Sequence, residues 1–254
     1  MSYDKKIINY NFSSKVSEYN TKANIQKKVA KKLCNFFIEN YVSKNSEEVK
    51  ILDLGSGTSF VAKQFLKNND NYKIYELDLS LNMLNNFRKN REKIIKICGD
   101  IENLPFAESS FDAIISSFSL QWIKDFENLF NNLNKILKPN GILAFSIPDD
   151  KSFDELKNIP FLINSMPSSE KLSLTLQENR FSKKLLINEK IYEKFSNIIE
   201  ALKSFKKIGV NYYLPSNNKF NFKDLRIFYL KNYKNNFICK MSWSISYFIY
   251  SKND

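Results

Sequence analysis

Histidine is missing altogether from the 254 residues. With it go the commonest general base, a frequent metal ligand and every Ser/His or Cys/His nucleophile arrangement. Whatever chemistry the chain performs runs without imidazole. Cysteine is scarce: Cys34, Cys98 and Cys239 stand far apart with no CxxC spacing, which fits reduced thiols rather than disulfides or zinc, and no metal is expected. No apolar run reaches the length of a membrane span, and the amino-terminal MSYDKKIINY lacks the hydrophobic segment of a signal peptide; a cytoplasmic protein is expected. Acidic residues are outnumbered, 27 against 39 lysines and arginines, for a formal charge of +12. That balance fits an acidic partner, either nucleic acid or an acidic protein. The chain is also rich in Lys, Asn, Ile and Phe at the expense of Gly, Ala and Arg, a bias that base composition alone produces. Its lysines are spread along the sequence instead of being gathered with aromatics, so nucleic acid is not the expected partner.

Glycine is almost as rare, at five residues, yet two of them fall at 55 and 57 in the stretch VKILDLGSGTS over 49–59. The apolar Val49, Ile51, Leu52 and Leu54 predict a short buried strand, and Phe60, Val61, Phe65 and Leu66 predict a helix after the turn. Strand, glycine turn and helix in that order form the place where ligands sit in open α/β sheets. Without a Cβ at 55 and 57, a ligand can lie against the backbone and meet its amides. The loop is not GxxxxGK[ST], which removes the triphosphate lysine. It is also not GxGxxG, since Phe60 stands where the third glycine belongs. Asp78 closes the next apolar strand 21 residues after Gly57, near the interval of about 20 at which a carboxylate meets ribose hydroxyls. An adenosine ligand without a pyrophosphate fits S-adenosylmethionine better than NAD. The stretch with Asp53, Gly55, Gly57 and Asp78 resembles motif I of the class I S-adenosylmethionine-dependent methyltransferases.

Elsewhere, residues 1–20 read as irregular. Ile25, Val29, Leu33, Phe36 and Phe37 predict an amphipathic helix. Strands follow at 72–79, 94–98, 111–118 and 142–147, with a helix near Ser80 and another over 125–137, stopped by LKPNG. Such alternation predicts an α/β, doubly wound, mostly parallel seven-stranded sheet. Beyond Pro148 the pattern predicts helices near 152–158, 169–179, 196–207 and 222–233, a strand near 185–192 and a half-buried last strand over 240–250. One domain over 1–254 is expected, with a lid helix in 1–45, a cofactor core over 49–148, cap elements over 149–235 and a final strand over 238–250.

Three further stretches, SSFSLQW at 116–122, FSSKVSEYNTKANIQKKVAKKL at 12–33 and ALKSFKKIG at 201–209, resemble one branch: the malonyl-acyl carrier protein O-methyltransferases of biotin synthesis. The resemblance covers essentially the whole chain. It implies a Rossmann-like methyltransferase fold with a helical lid and S-adenosylmethionine as cofactor. Asp53, Gly55 and Gly57 would then form the cofactor loop, Asp78 would hold the ribose, and Asp100 with Ile101 would hold the adenine. Ser117, Leu120, Gln121 and Trp122 would line the methionine end and the reaction cavity, and Tyr19 and Gln26 would belong to the lid, Tyr19 positioning the malonyl group through its hydroxyl. The chain departs from the family at Ser56, usually cysteine, at Ser59, usually glycine, and at Ser117, frequently asparagine. Residues 150–180 match poorly, and no substrate contact carries over there.

The implied reaction is methyl transfer to the free carboxylate of malonyl-acyl carrier protein or malonyl-CoA. A carboxylate already ionised at neutral pH needs no base, which suits a chain without histidine. The carrier would dock on lysines among Lys27, Lys28, Lys31, Lys203, Lys206 and Lys207, and a monomer is expected. Two rivals stay open: a methyltransferase of a quinone-type small molecule, and a complex I assembly factor that acts on or binds a protein.

Overall fold

The computed structural model describes residues 4–41, 48–68, 71–87, 92–156, 166–207 and 239–253. Strands β1 (Val49–Leu54), β2 (Tyr72–Asp78), β3 (Ile94–Cys98), β4 (Phe111–Ser117), β5 (Leu137–Pro148), β6 (Phe181–Phe195) and β7 (Cys239–Lys252) form one sheet in the order β3-β2-β1-β4-β5-β7-β6. The first five strands run parallel, and β7 is antiparallel to both β5 and β6. The expected mostly parallel, seven-stranded, doubly wound sheet is present. Chain direction across the sheet reverses at β1, whose neighbours β2 and β4 lie on opposite sides. A crevice therefore opens at the carboxyl ends of these strands.

Helices cover both faces. On one, α3 (Asn24–Asn40) presents Ile25, Val29, Leu33 and Phe37, spaced four apart, to Val61 and Phe65 of α4 (Phe60–Asn68) and to Ile51, Ile74 and Ala113 of the sheet. Each such side chain, fully buried, contributes about 1.5–3 kcal/mol. On the other, α6 (Phe126–Ile136) and α7 (Ser169–Glu178) cover Leu52, Ile114, Leu143 and Phe145. The Asp125 carboxylate caps α6 by accepting from the Asn128 amide at 2.9 Å. The short α5 (Leu81–Leu84) is capped by Ser80, and α8 (Ile198–Lys207) buries Ile198 and Ala201.

Four expectations need correction. Residues 4–23 are not irregular: α1 (Lys5–Ser13) starts at an Asp4 cap, and α2 (Val16–Lys22) follows it. LKPNG is not a loop, because β5 begins at Leu137 and a bulge between Phe111 and Ala113 takes up the extra residues. The region near 152–158 holds a single 3-10 turn, Asp154–Leu156, in its described part. Finally, β7 is buried on both faces, its side chains dividing between the two core clusters on either side of the sheet. Its alternating serines are buried too: Ser244 and Ser246 donate to Asp149, and Ser242 donates to Glu155. Polar residues inside a sheet are stable when paired in this way. β6 is also longer than expected, and the helix expected at 222–233 lies outside the described residues.

Candidate active site

The crevice at the carboxyl ends of β1, β2 and β4 is floored by Gly55 and Gly57 and walled by Asp78, Leu79 and Met83 on one side and by Phe118, Ser119, Trp122 and Ile123 on the other. Gly99, Asp100, Ile101 and Glu102 close one end, and Lys5, Ile8, Phe12 and Tyr19 form the roof. The structure thus brings together Tyr19, Gly55, Gly57, Asp78, Asp100, Ile101 and Trp122. Asp53, Gln26, Ser117 and Gln121 stand outside this lining. Gln26 is buried on α3, Ser117 pairs with Ser146 at 3.2 Å, and the Gln121 amide donates to the Phe118 carbonyl at 2.7 Å.

The two loop glycines differ in what requires them. Both have positive φ, +66° at Gly55 and +54° at Gly57. A Cβ at Gly57 would meet only the Tyr19 ring, at 4.0 Å, so that face of the backbone is open to a ligand. A Cβ at Gly55 would lie 2.2 Å from Ser119 Oγ, so Gly55 is needed first for packing. The Ser119 hydroxyl donates to the Gly55 carbonyl at 2.9 Å and ties the β4 end to the loop.

Asp78 ends β2 with one carboxylate oxygen accepting from the Gly57 amide and the other from the Ser80 amide, each at 2.8 Å. A carboxylate oxygen has two lone-pair positions, so each keeps one for a ligand hydroxyl. Burial pushes the Asp78 carboxyl above its usual range and outweighs both amide bonds. Beneath the loop lies Asp53, wholly buried, with neither oxygen hydrogen-bonded among the described residues. Burial first, then the Glu76 and Asp78 carboxylates, drives its pKa upward. A ligand cation over the loop would relieve this concentration of negative charge.

Glu76 pairs in register with Asp53 and is itself fully buried. Burial raises its pKa against the pull of Ser59, Lys96 and Lys63. A carboxyl with a raised folded pKa binds more protons folded than unfolded, so its stabilising contribution is full below about pH 4 and is lost as pH rises through the folded value. The contribution of Glu76 to thermal stability should therefore shrink as pH climbs from about 4. Thermal denaturation across that range should show a flatter profile for Glu76→Gln, with a higher midpoint at neutral pH.

The sequence placed Tyr19 in a lid, but not Lys5, Ile8 and Phe12 of α1. Lys5 donates to Asp100 at 2.6 Å and also pairs with Glu102. Burial works to raise the Asp100 carboxyl, but the Lys5 bond and the Glu102 amide outweigh it and leave it below its usual range. Ser13 shares a hydrogen bond with Ser80 at 2.7 Å. Across the mouth runs a chain of rings. Phe12 sits edge-on to Trp122 at 6.2 Å and to Tyr19 at 6.0 Å, and Tyr19 stacks on Phe60 at 5.6 Å. The Asp4 cap and the i, i+4 pair Ile8 and Phe12 were the available signals for α1.

A methyltransferase-domain family model matches residues 52–145, from β1 through β5. The malonyl-[acyl-carrier protein] O-methyltransferase 1 of Ilyobacter polytropus is 31% identical over 98% of this chain and 95% of its own length. The chain belongs to the malonyl-[acyl-carrier protein] O-methyltransferase family. A second member, from Buchnera aphidicola subsp. Baizongia pistaciae, is 31% identical over 85% of each chain. Among solved structures, the YcgJ protein from Bacillus subtilis superimposes with a TM-score of 0.62 at 15% identity, over 88% of this chain and 99% of that one, which shows the shared fold. As a family member the protein is an S-adenosylmethionine-dependent O-methyltransferase. The open Gly57 backbone, the spare Asp78 lone pairs and the unpartnered Asp53 fit that cofactor. Among the described residues, no helix is long and apolar enough to cross a membrane.

Proposed function

We propose that the protein methylates the free carboxylate of a malonyl thioester, on acyl carrier protein or coenzyme A, and so serves biotin synthesis in the cytoplasm as a monomer. The observation that carries this reading is the likeness to the malonyl-[acyl-carrier protein] enzyme of Ilyobacter over nearly the whole of both chains, lid region included. A quinone-type or assembly-factor role has no corresponding support among the relatives named above.

When bound, S-adenosylmethionine supplies an electrophilic methyl group on a sulfonium. Asp78 takes the ribose hydroxyls, Asp100 and Ile101 hold the adenine, and Gly55 and Gly57 let the cofactor lie on the loop. Asp53 lies beneath it, where the sulfonium favours its ionised form, and Gln26, Ser117 and Gln121 support the walls from behind. Trp122, Phe12 and Tyr19 exclude water, which strengthens a weakly nucleophilic carboxylate. No group has to remove a proton, because the acceptor is ionised at neutral pH. Catalysis then consists of alignment, with reacting atoms held about 3–3.5 Å apart.

Tyr19 is the candidate for orienting the acceptor. Burial, with Asp78 and Asp53 nearby, holds its phenol far above the usual range, so it remains a hydrogen-bond donor at any working pH. Tyr19→Phe keeps the stack on Phe60 and removes only the donor. Its kcat/KM for the malonyl thioester should fall about 10- to 100-fold, the worth of one hydrogen bond to a charged group, with cofactor affinity unchanged. The function as a whole is tested by growth: the gene should rescue a strain that requires biotin because it lacks its malonyl-carrier methyltransferase. Failure to rescue, with the protein expressed and binding cofactor, would turn the reading toward the assembly-factor alternative.

A further inference from the structure

A second groove lies behind the roof, between α4, the start of α3 and the segment after α5. Its wall carries Lys27, Lys63 and Lys67 with Asn20, Phe60 and Phe87. Lys63 and Lys67 are four apart on α4, so their side chains rise from one face. The Lys63 ammonium lies 5.4 Å from the Phe60 ring and 4.8 Å from the Phe87 ring, and the Lys27 ammonium lies 5.7 Å from the Phe60 ring. The groove is thus a convergence of cations on an aromatic floor, and among the described residues no carboxylate lines it. Burial, the largest influence, holds Lys63 below its usual range; Glu76 pulls the other way, while Lys27 and Lys96 add to the lowering. An anion entering here would gain from several cations at once.

What places an anion there is the groove's position. Phe60 is shared: one side of its ring faces the lysines, and Tyr19, which lines the cofactor crevice over Gly57, stacks on it at 5.6 Å. The stacked pair thus joins the two cavities, Tyr19 lining the crevice and Phe60 lining the groove. A substrate with its reacting carboxylate in the crevice and a second anion at the far end of a flexible arm would occupy both. Pantetheine thioesters have that form, an acyl group at one end and a phosphate at the other. We infer that this lysine-lined groove receives the phosphate end of the pantetheine arm, whether borne by the carrier serine or by coenzyme A. The inference rests on the malonyl-thioester reading. It places the phosphate on Lys27, Lys63 and Lys67, of which only Lys27 was expected to meet the carrier.

Three thioesters test it: malonyl-carrier protein, malonyl-CoA and phosphate-free malonylpantetheine, assayed with wild type, the triple variant Lys27→Gln/Lys63→Gln/Lys67→Gln, and the double variant Lys27→Gln/Lys67→Gln, which retains the half-buried Lys63. The triple variant should raise KM for the phosphate-bearing thioesters about tenfold, the double variant less, with kcat, cofactor affinity and all constants for malonylpantetheine unchanged. A rise confined to one phosphate-bearing thioester supports the site and names its source. Unchanged KM for both, or an equal rise with malonylpantetheine, overturns the assignment. If wild type itself methylates none of the three, the acceptor reading fails first and the groove assignment falls with it, a result distinct because it precedes any substitution.

Discussion

Asp78→Ala should raise the dissociation constant for S-adenosylhomocysteine by about 100-fold or more in calorimetry. Two ribose hydroxyls donating to one carboxylate are each worth about 1.5–3 kcal/mol, and losing about 3 kcal/mol corresponds to roughly two decades in affinity. The same substitution strips the acceptor from the Gly57 and Ser80 amides, so some loss of stability will accompany it. Asp78→Asn separates the two effects, since its carbonyl oxygen still accepts while its NH2 cannot; it should bind with intermediate affinity. The sign of the pH dependence is also fixed. Burial raises the Asp78 carboxyl in the ligand-free protein, whereas the ribose hydroxyls favour its ionised form. Cofactor affinity should accordingly strengthen as pH rises through that raised value, and Asp78→Asn should abolish the trend.

Gly55→Ala is the substitution expected to damage folding most. An alanine at φ +66° costs about 1–2 kcal/mol of backbone strain. Its Cβ would also fall 2.2 Å from Ser119 Oγ and 2.4 Å from Ser119 Cβ. The Ser119 side chain is short, and its hydroxyl is held by the Gly55 carbonyl, so it has little room to withdraw. A total cost of about 3 kcal/mol lowers the melting temperature by roughly 10 °C in a chain of this size. Adding Ser119→Gly removes the steric part and leaves the strain, so the double variant should melt above Gly55→Ala and below Ser119→Gly. Gly57→Ala offers the contrast. With open space around it the fold should lose only the strain, while the face presented to the cofactor becomes blocked.

Much of this was readable in the residues. The runs of β1 and β4 are mostly apolar because these central strands are buried on both faces. The glycine turn and the acidic end of β2 followed from one strand–turn–helix pattern. What escaped was written in interactions between distant segments. The helices α1 and α2 bury few residues of their own and are held by Lys5 on Asp100, Ser13 on Ser80 and the ring contacts of Phe12 and Tyr19, none of which has a local signature. Ser119 was passed over because its partner is 64 positions away. Gly55 was assigned to ligand approach when its first obligation is to that serine. The last strand was expected to be half-buried because Asp149 and Glu155, which pair with its serines, come from a different part of the chain.

The roof and floor share one purpose in the proposed reaction: a sulfonium cofactor lies over Asp53, Gly57 and Asp78, and a charged acceptor is delivered beneath Tyr19 and Trp122 with water displaced. The assay that meets this claim most directly is incubation of the purified protein with methyl-labelled S-adenosylmethionine and malonyl-acyl carrier protein. The account predicts label in a base-labile methyl ester on the carrier-bound malonyl group, absent when acetyl-carrier protein, which has no free carboxylate, is supplied instead. Tight cofactor binding with no label on the malonyl carrier, or label released equally from the acetyl form, would contradict it.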